Sequence, residues 1–338
     1  MIVWLVTLGL IILVSLLIAM FPTRLLSRFS IVNIMKGENA SMFPRKKTFS
    51  LQSSFVVFQF MIAIILIAST IIIRSQLNYI QTKDIGLQKE QTLVIPIRDE
   101  SIQNNFAAMK NKLSQVAGVS TVSALSNFPW TKGFYDFNTT INNNGKLVKS
   151  NAYTLLVEED FISTMGMKMA QGRGFSKDYG KDATTAFIIN EAAAKKFGIN
   201  TVTNVKLNME SVASGEPKEG ELIGIVKDFH LQSLHHTIEP LIITIAPETY
   251  YLDNIVLKVL PTGMATSLKN IEASVKTVAA DRPFDYFFLD EAFAKLYRKE
   301  MRMGTVFNYF SVLAIIISCL GLFGISAFTS VQRAKEIG

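Results

Sequence analysis

Three stretches of this chain carry no charged residue: Met1 to Thr23, Thr48 to Ile73 and Met303 to Gln332. They run for 23, 26 and 30 residues and are rich in Ile, Leu, Val and Phe. A helix needs about 20 apolar residues to cross the hydrocarbon core of a bilayer. Each run is long enough, and three of them in one chain fit poorly with buried helices of a soluble protein. Charged residues make up 18% of the chain, against about 25% in soluble domains, which points the same way. Three membrane-spanning helices are therefore expected. The first run does not read as a secretory signal, because a signal places its basic residues before the apolar stretch. Here Arg24 and Arg28 follow it.

The basic residues give a direction to these spans. Residues 22–48 hold Arg24, Arg28, Lys36, Arg45, Lys46 and Lys47 against the single acid Glu38. Of the formal net charge of +7, five units lie in that loop and one in the tail after Gln332, which leaves one for everything else. Short loops rich in Lys and Arg stay on the cytoplasmic side, so the loop and the C-terminus are expected inside and the segment between the second and third spans outside. Nucleic-acid binding would also use a basic patch, but its position between two spans is accounted for by the topology rule, and no nucleic-acid partner is expected. The expected layout is a transmembrane helix over 1–22, a cytoplasmic loop over 23–48 and a second transmembrane helix over 49–74 with a stalk to about 86. An extracytoplasmic domain over 87–289 follows. A stalk and third transmembrane helix over 290–331 lead to the start of a cytoplasmic segment at 332–338. With its N-terminus outside and an end so soon after a span, the chain reads as a piece of a longer polytopic protein.

The outer segment alternates between two periodicities. Gln91 to Ile97 reads as a strand, and Ile102, Phe106, Met109, Leu113 and Val116 recur at helical spacing over 101–117. Strand-like runs follow at 119–125 and 135–157. Ala186 to Ile189 leads into Asn190, an N-cap for a helix through Phe197, with Gly198 as its stop. Further strands are expected at 221–226, 241–245, 255–260 and 284–289, and a second amphipathic helix on Met264, Leu268, Ile271, Val275 and Val278. The result is an α+β domain with a mixed or mostly antiparallel sheet. At both ends the helical pattern runs past the membrane: from Ile73 through Leu77 and Ile80 to Gly86, and from Asp290, taken as a cap, through Phe293 and Leu296 into the third span.

Motifs that carry chemistry are missing. The stretch GFSKDYGK at 174–181 lacks the spacing of a phosphate-binding loop, and Asp182 stands where Ser or Thr would be needed, so this chain is not expected to hydrolyse ATP. It has no GxSxG, no HExxH and no pair of CxxC motifs. The three histidines, His230, His235 and His236, lack the pairing and third ligand of a metal site and read as a polar loop. The lone Cys319 lies within the third run and reads as a small packing residue. Neither a catalytic residue nor a cofactor or metal is expected. One pattern in the third run does stand out: Ala314, Ser318, Gly321 and Gly324 place small residues on one side, as helices do where another helix approaches closely.

Several stretches together resemble a known family. FPTRLLSRFSIVNIMKG (21–37) is similar to the exit from the last span of a first half, and SSFVVFQFMIAIILI (53–67) to the first span of a second half. TAFIINEAAAKKFG (185–198) and GELIGIVKDFHLQSLHHTIEPLI (220–242) resemble the extracytoplasmic domain. The stretch from Tyr286 to Gly338, ending in RAKEIG, resembles the return into the membrane. The family is that of the FtsX-like, MacB-type permease subunits of ABC transporters, in the bacterial form with eight spans in two tandem halves.

The resemblance implies a periplasmic core domain of MacB type and a multi-pass place in the bacterial plasma (inner) membrane. It also implies a short coupling segment beginning at Arg333, Lys335, Glu336, Ile337 and Gly338 that contacts a separate ABC ATPase subunit. Other implied partners are a second permease half or homodimer partner, membrane lipid, and a periplasmic adaptor or outer-membrane channel. The output would be efflux or export driven by mechanical transmission. A different reading is a membrane-anchored sensor or scaffold, or a regulator of cell-envelope enzymes; reading the frame beyond Gly338 separates two further spans from a signalling domain. An enzyme acting on lipid or peptidoglycan ranks last, since no acid, base or nucleophile cluster is evident.

Overall fold

Two long helices dominate the chain. The structure, a computed structural model, describes residues 51–97, 100–128, 133–210, 217–279 and 283–337; the expected first span and the basic loop lie outside them. The first helix, α1 (Leu51–Thr82), contains no Gly or Pro, and the last, α9 (Arg298–Ile337), has 40 residues. At 1.5 Å per residue they extend roughly 48 and 60 Å, well beyond a hydrocarbon core of about 30 Å. Both are long and apolar enough to cross a membrane, and only 11% of each one's most apolar window is buried. A core helix of a soluble protein would be mostly covered. The surfaces instead display Phe55, Phe58, Ile64 and Ile65 on α1 and Phe310, Ile316, Leu320 and Phe323 on α9.

The chain divides into two compact units, Met1–Ile64 with Ala314–Gly338, and Ile65–Leu313. In the described part of the first, a Cβ on Gly321 would lie 2.9 Å from Gln59 Oε1. Any larger residue at 321 has to push Gln59 aside. In the second unit the same two helices touch again: a Cβ on Gly304 would lie 3.1 Å from Ile73 Cγ2. The Thr70 and Ser311 hydroxyls stand 2.8 Å apart, each also within 2.8 Å of a carbonyl of its own helix. A hydroxyl has one hydrogen, so whichever of the two donates across gives up its own backbone bond.

Between these helices the second unit builds a mixed sheet of eleven strands. Four of them, β1 (Thr92–Pro96), β2 (Val119–Leu125), β10 (Asn254–Val259) and β11 (Phe287–Phe288), pair antiparallel in the order β11-β1-β10-β2. Helices α2 (Glu100–Asn104), α3 (Phe106–Ser114) and α7 (Met264–Lys276) sit with them. Phe106, Met109, Leu113, Ile271 and Val275 from the helices share one core with Leu93, Ile95, Ile255 and Leu257.

Six more strands close on themselves. These are β3 (Tyr135–Asn143), β4 (Lys146–Val157), β6 (Ala186–Asn190), β7 (Val205–Met209), β8 (Lys218–Val226) and β9 (Leu241–Ile245). They run β4-β3-β7-β8-β6-β9 and return, because β9 also pairs in parallel with β4. One face of this ring buries Ile141, Leu156, Phe187, Ile189, Leu207 and Ile242, with Ala193 and Phe197 of α6 (Glu191–Phe197) packed on them. The other face joins a third core with Phe128, Phe161, Met165, Phe229, Leu289 and Phe293. The two halves of the sheet meet at one residue pair, Leu125 with Val157. Short elements α4 (Phe161–Thr164), β5 (Met169–Gly172) and α5 (Asp182–Thr185) line the crossings, and α8 (Leu289–Leu296) leads back to α9.

Several expectations meet this structure directly. Asn190 caps α6 by accepting from the Ala193 N–H at 2.9 Å, and Gly198 ends it in the left-handed region with φ 66. The run 135–157 is a hairpin rather than one strand, turned by Asn144 (φ 51) and Gly145 (φ 89), the two positive dihedrals a tight hairpin turn requires. The helix expected over 101–117 is in two pieces, broken at Asn105 (φ −109, ψ 24). Only Phe287–Phe288 of the strand expected at 284–289 pairs. Asp290 is not a cap: Phe288 holds that place, with extended backbone, and Asp290 sits in the first turn. The GFSKDYGK loop is filled by its own ion pair. Arg173 donates to both Asp182 oxygens at 2.5 and 2.8 Å, and its guanidinium lies 3.7 Å from the Tyr179 ring centre. Arg173 accordingly holds the Asp182 carboxyl below the usual range.

Lys218 is buried in the ring, with Nζ donating to Ala183 O at 2.9 Å and Ile245 O at 3.0 Å. Burial brings its pKa down to about 8. Between about 8 and the unfolded value near 10.4 the unfolded chain binds more protons, so stability rises with pH across that window. Thermal melts of the detergent-purified chain should show this rise, and Lys218→Met should flatten it. A slope unchanged in that variant would count against the assignment.

Candidate functional site

The connections between the long helices and the sheet converge on one loop. After α1 ends, Lys83 N–H still bonds to Tyr79 O at 2.9 Å, and Asp84 Oδ1 then accepts from Gly86 N–H at 2.9 Å. Gly86 adopts φ 80, a turn that glycine makes without strain. A Cβ there would lie 2.6 Å from Asp228 O and 2.8 Å from Phe229 Cβ. The chain leaving α1 is thus pressed backbone to backbone against the start of the segment 228–239, and Ile85 O accepts from His230 N–H at 2.8 Å.

The other long helix meets the middle of the same loop. Between α8 and α9 the backbone departs from helical geometry at Tyr297 (φ −107, ψ 18). The stalk expected as one continuous helix from Asp290 is therefore two helices with a break. The break has a visible partner: Tyr297 is buried, and its Oη accepts from Leu234 N–H at 2.6 Å. One residue on, the His235 ring lies 5.8 Å from the Tyr297 ring, and its Nε2 is 3.2 Å from Glu300 Oε1.

The two ends of the loop are pinned to the ring. Asp228 N–H donates to Glu191 Oε2 at 2.9 Å and Asp228 Oδ1 accepts from Ala192 N–H at 2.9 Å. Asn190 donates through Nδ2 to Glu239 O at 2.9 Å, and its Oδ1 accepts from Leu241 N–H at 2.9 Å. Phe229 and Leu231 anchor the loop in the same core as Ile85, Leu87, Leu289 and Phe293, the residues flanking the two stalks. Burial, reinforced by Lys83 and opposed by Asp228, lowers the His230 pKa, so this histidine favours the neutral form.

The segment read from sequence as a polar histidine loop is thus the tie between both stalks and the sheet. Its sequence signal was the pair of apolar residues, Phe229 and Leu231, set among polar ones. Among the described residues no group of three His, Cys, Asp or Glu side chains is placed to hold a metal ion.

The residues singled out on the third span fall as follows. Ser318 is buried at 2% exposure, with Oγ meeting no partner among the described residues. Ala314 and Gly321 are half-buried, and Gly324 is exposed with nothing within 4 Å of a would-be Cβ. Gln59, which the pattern of small residues did not bring forward, faces Gly321 and leaves its own Nε2 buried without a partner among the described residues. The backbone of Arg333, Lys335, Glu336 and Ile337 continues α9; Gly338 lies outside the described residues.

No protein-family model matches this sequence, and no curated protein matches it. Among solved structures it is similar to the periplasmic region of MacB from Actinobacillus actinomycetemcomitans, at 14% identity and TM-score 0.44, over 64% of this chain and 98% of that one. A second is the extracellular domain of the noncanonic ABC-type transporter YknZ from Gram-positive bacteria, at 14% identity and TM-score 0.39, over 58% and 96%. A third is a domain of a permease protein from Porphyromonas gingivalis, at 14% identity and TM-score 0.39, over 59% and 88%.

Proposed function

We propose that this chain is part of a permease subunit of an ABC transporter of the FtsX-like, MacB-type family. In this reading it lies in the bacterial plasma membrane with its sheet domain on the extracytoplasmic side. The span over 1–22 and the basic loop over 23–48 would complete a three-span layout. ATP hydrolysis would occur on a partner subunit docked at Arg333, Lys335, Glu336, Ile337 and Gly338. The small residues Ala314, Ser318, Gly321 and Gly324 would serve close helix packing, within the chain at Ser318 and Gly321, and a second permease half or a second copy would pack on the face left exposed at Gly324. The outcome would be efflux or export, through a periplasmic adaptor or outer-membrane channel where one is present.

The observation that carries this reading is the 228–239 loop. It bonds to Ile85 beyond one long helix and to Tyr297 at the foot of the other, and both stalk ends share its core. Displacement of either helix would then reach the sheet through hydrogen bonds and packed side chains, where a flexible linker would absorb it. Charge reversal at Arg333 and Lys335 tests the docking end. Affinity of the full-length protein for its ATPase subunit, read by co-purification, is expected to fall about thirtyfold, since two lost charged contacts at roughly 1 kcal/mol each come to about 2 kcal/mol. Undiminished association would remove the coupling role.

A further inference from the structure

We infer that the free edge of β4, over Lys146–Asn151, takes up an extended acidic segment of a partner protein as an added antiparallel strand. The edge would do so whether or not the chain serves a permease. β4 pairs with β3 from Lys146 to Thr154, but β9 joins its other side only from Tyr153 onward. Among the described residues no strand flanks that other side over Lys146–Asn151.

The neighbouring strand fixes which way the backbone faces there. Glu210 N–H donates to Asn138 O at 2.9 Å, so Asn138 turns its backbone away from β4. Residues directly opposite each other in an antiparallel pair either both bond across it or both face outward. Asn151, opposite Asn138, therefore faces away from β3. Alternation gives Lys149 and Leu147 the same direction. It also gives that direction to Tyr153, which is where the pairing with β9 begins. Leu147, Lys149 and Asn151 thus each present an N–H and a C=O to the open side of the sheet, where Asn151 O also accepts from Ser150 Oγ at 3.1 Å. A row of this kind is a template for strand addition.

The side chains select the strand. Leu147 is 66% exposed, and Lys146 and Lys149 are exposed on either side of it. No carboxylate among the described residues forms a salt bridge with either lysine. Lysines on an edge deter strands that lack a matching charge. A second copy of this chain would bring its own two lysines to the same edge, and like charges across a strand pair oppose it. An acid opposite each lysine turns that repulsion into attraction, and an apolar residue opposite Leu147 covers the exposed leucine. Along an antiparallel partner this reads as an acid facing Lys149, a spacer, an apolar residue facing Leu147 and a second acid facing Lys146.

Fluorescence anisotropy of the full chain in detergent tests this, with a labelled peptide of Thr and Val that carries Glu-Val-Leu-Glu at its centre. It is expected to bind about tenfold tighter than its counterpart with both Glu replaced by Gln, as two cross-strand charge pairs would give. Lys146→Glu with Lys149→Glu should reverse the preference toward a peptide with two lysines at those places. N-methylation at the peptide leucine, whose N–H would bond across to Leu147, should abolish binding, while N-methylation at the spacer should not. Equal binding of the acidic and amide peptides, or of the two N-methylated peptides, would overturn the inference. A preference for acid that survives the double Glu variant at unchanged melting temperature would overturn it too. So would dimers of the chain in native mass spectrometry that are lost in Lys149→Pro, because a second copy would then hold the edge.

Discussion

Gly220→Ala is expected to lower the stability of the sheet domain by about 4 kcal/mol, above the usual 1–3 kcal/mol for overpacking. A Cβ at position 220 would lie 1.7 Å from Thr185 O and 2.4 Å from Thr185 C. Those are backbone atoms of the turn from α5 into β6, and they cannot rotate away as a side chain would. To admit one methyl group, β8 must separate from the start of β6, where Ala186 pairs with Glu221 in parallel. That pairing is one link of the six-stranded ring, so the damage spreads into the core of Phe187, Leu207 and Leu222. With roughly 2–4 °C lost per kcal/mol in a domain of this size, the melting temperature should fall by about 10 °C. Gly180→Ala, where a Cβ meets nothing within 4 Å, is the matched control and should melt with the parent. A Gly220→Ala protein as stable as that control would mean the close approach of β8 to Thr185 is wrong.

Gly86→Ala should produce a smaller but more pointed loss, of about 3 kcal/mol. One part, about 1 kcal/mol, comes from putting a side chain at φ 80. The rest comes from contact with Asp228 O and Phe229 Cα at 2.6 and 2.9 Å. Gly263→Ala separates the two parts, because Gly263 also has positive φ (76) but open space around it. The excess of the first variant over the second measures how tightly the chain after α1 is pressed on the 228–239 loop. Hydrogen exchange should place the change locally. Amides at His230 and Leu234, which bond to Ile85 O and Tyr297 Oη, are expected to lose protection first. Equal losses in the two glycine variants, with the loop still protected, would mean the loop does not hold the stalk.

The sequence made local structure readable where a rule acts within a few residues. The cap at Asn190 and the stop at Gly198 are of this kind, and so is the periodicity of α7. Strand β5 escaped because MAQG is four residues with no alternation to notice, whereas β7 (VKLNM) does alternate, with Val205, Leu207 and Met209 buried, and escaped because it is only five residues long. The break at Tyr297 had no Pro or Gly to announce it. It exists because a phenol from one side and a backbone N–H from a loop 63 residues away meet there. The closing of the ring between β4 and β9 is equally non-local. The histidine loop reads from its composition as a polar loop without a metal site, while its role in the fold depends mainly on backbone N–H groups that composition does not reveal. On the third span, the small-residue rule picked out Ser318 and Gly321, which face inward, together with Gly324, which does not. It overlooked Gln59, since a polar side chain on a neighbouring apolar run leaves no mark on the run it faces.

The account rests on which side of the membrane the sheet domain occupies, and cysteine labelling measures that directly. In a Cys319→Ala background, a cysteine at Leu147, 66% exposed at the tip of the β3–β4 hairpin, should react with a membrane-impermeant maleimide on intact spheroplasts. A cysteine at Lys46 should react only after lysis. Labelling of Lys46→Cys on intact spheroplasts with Leu147→Cys protected would contradict the account.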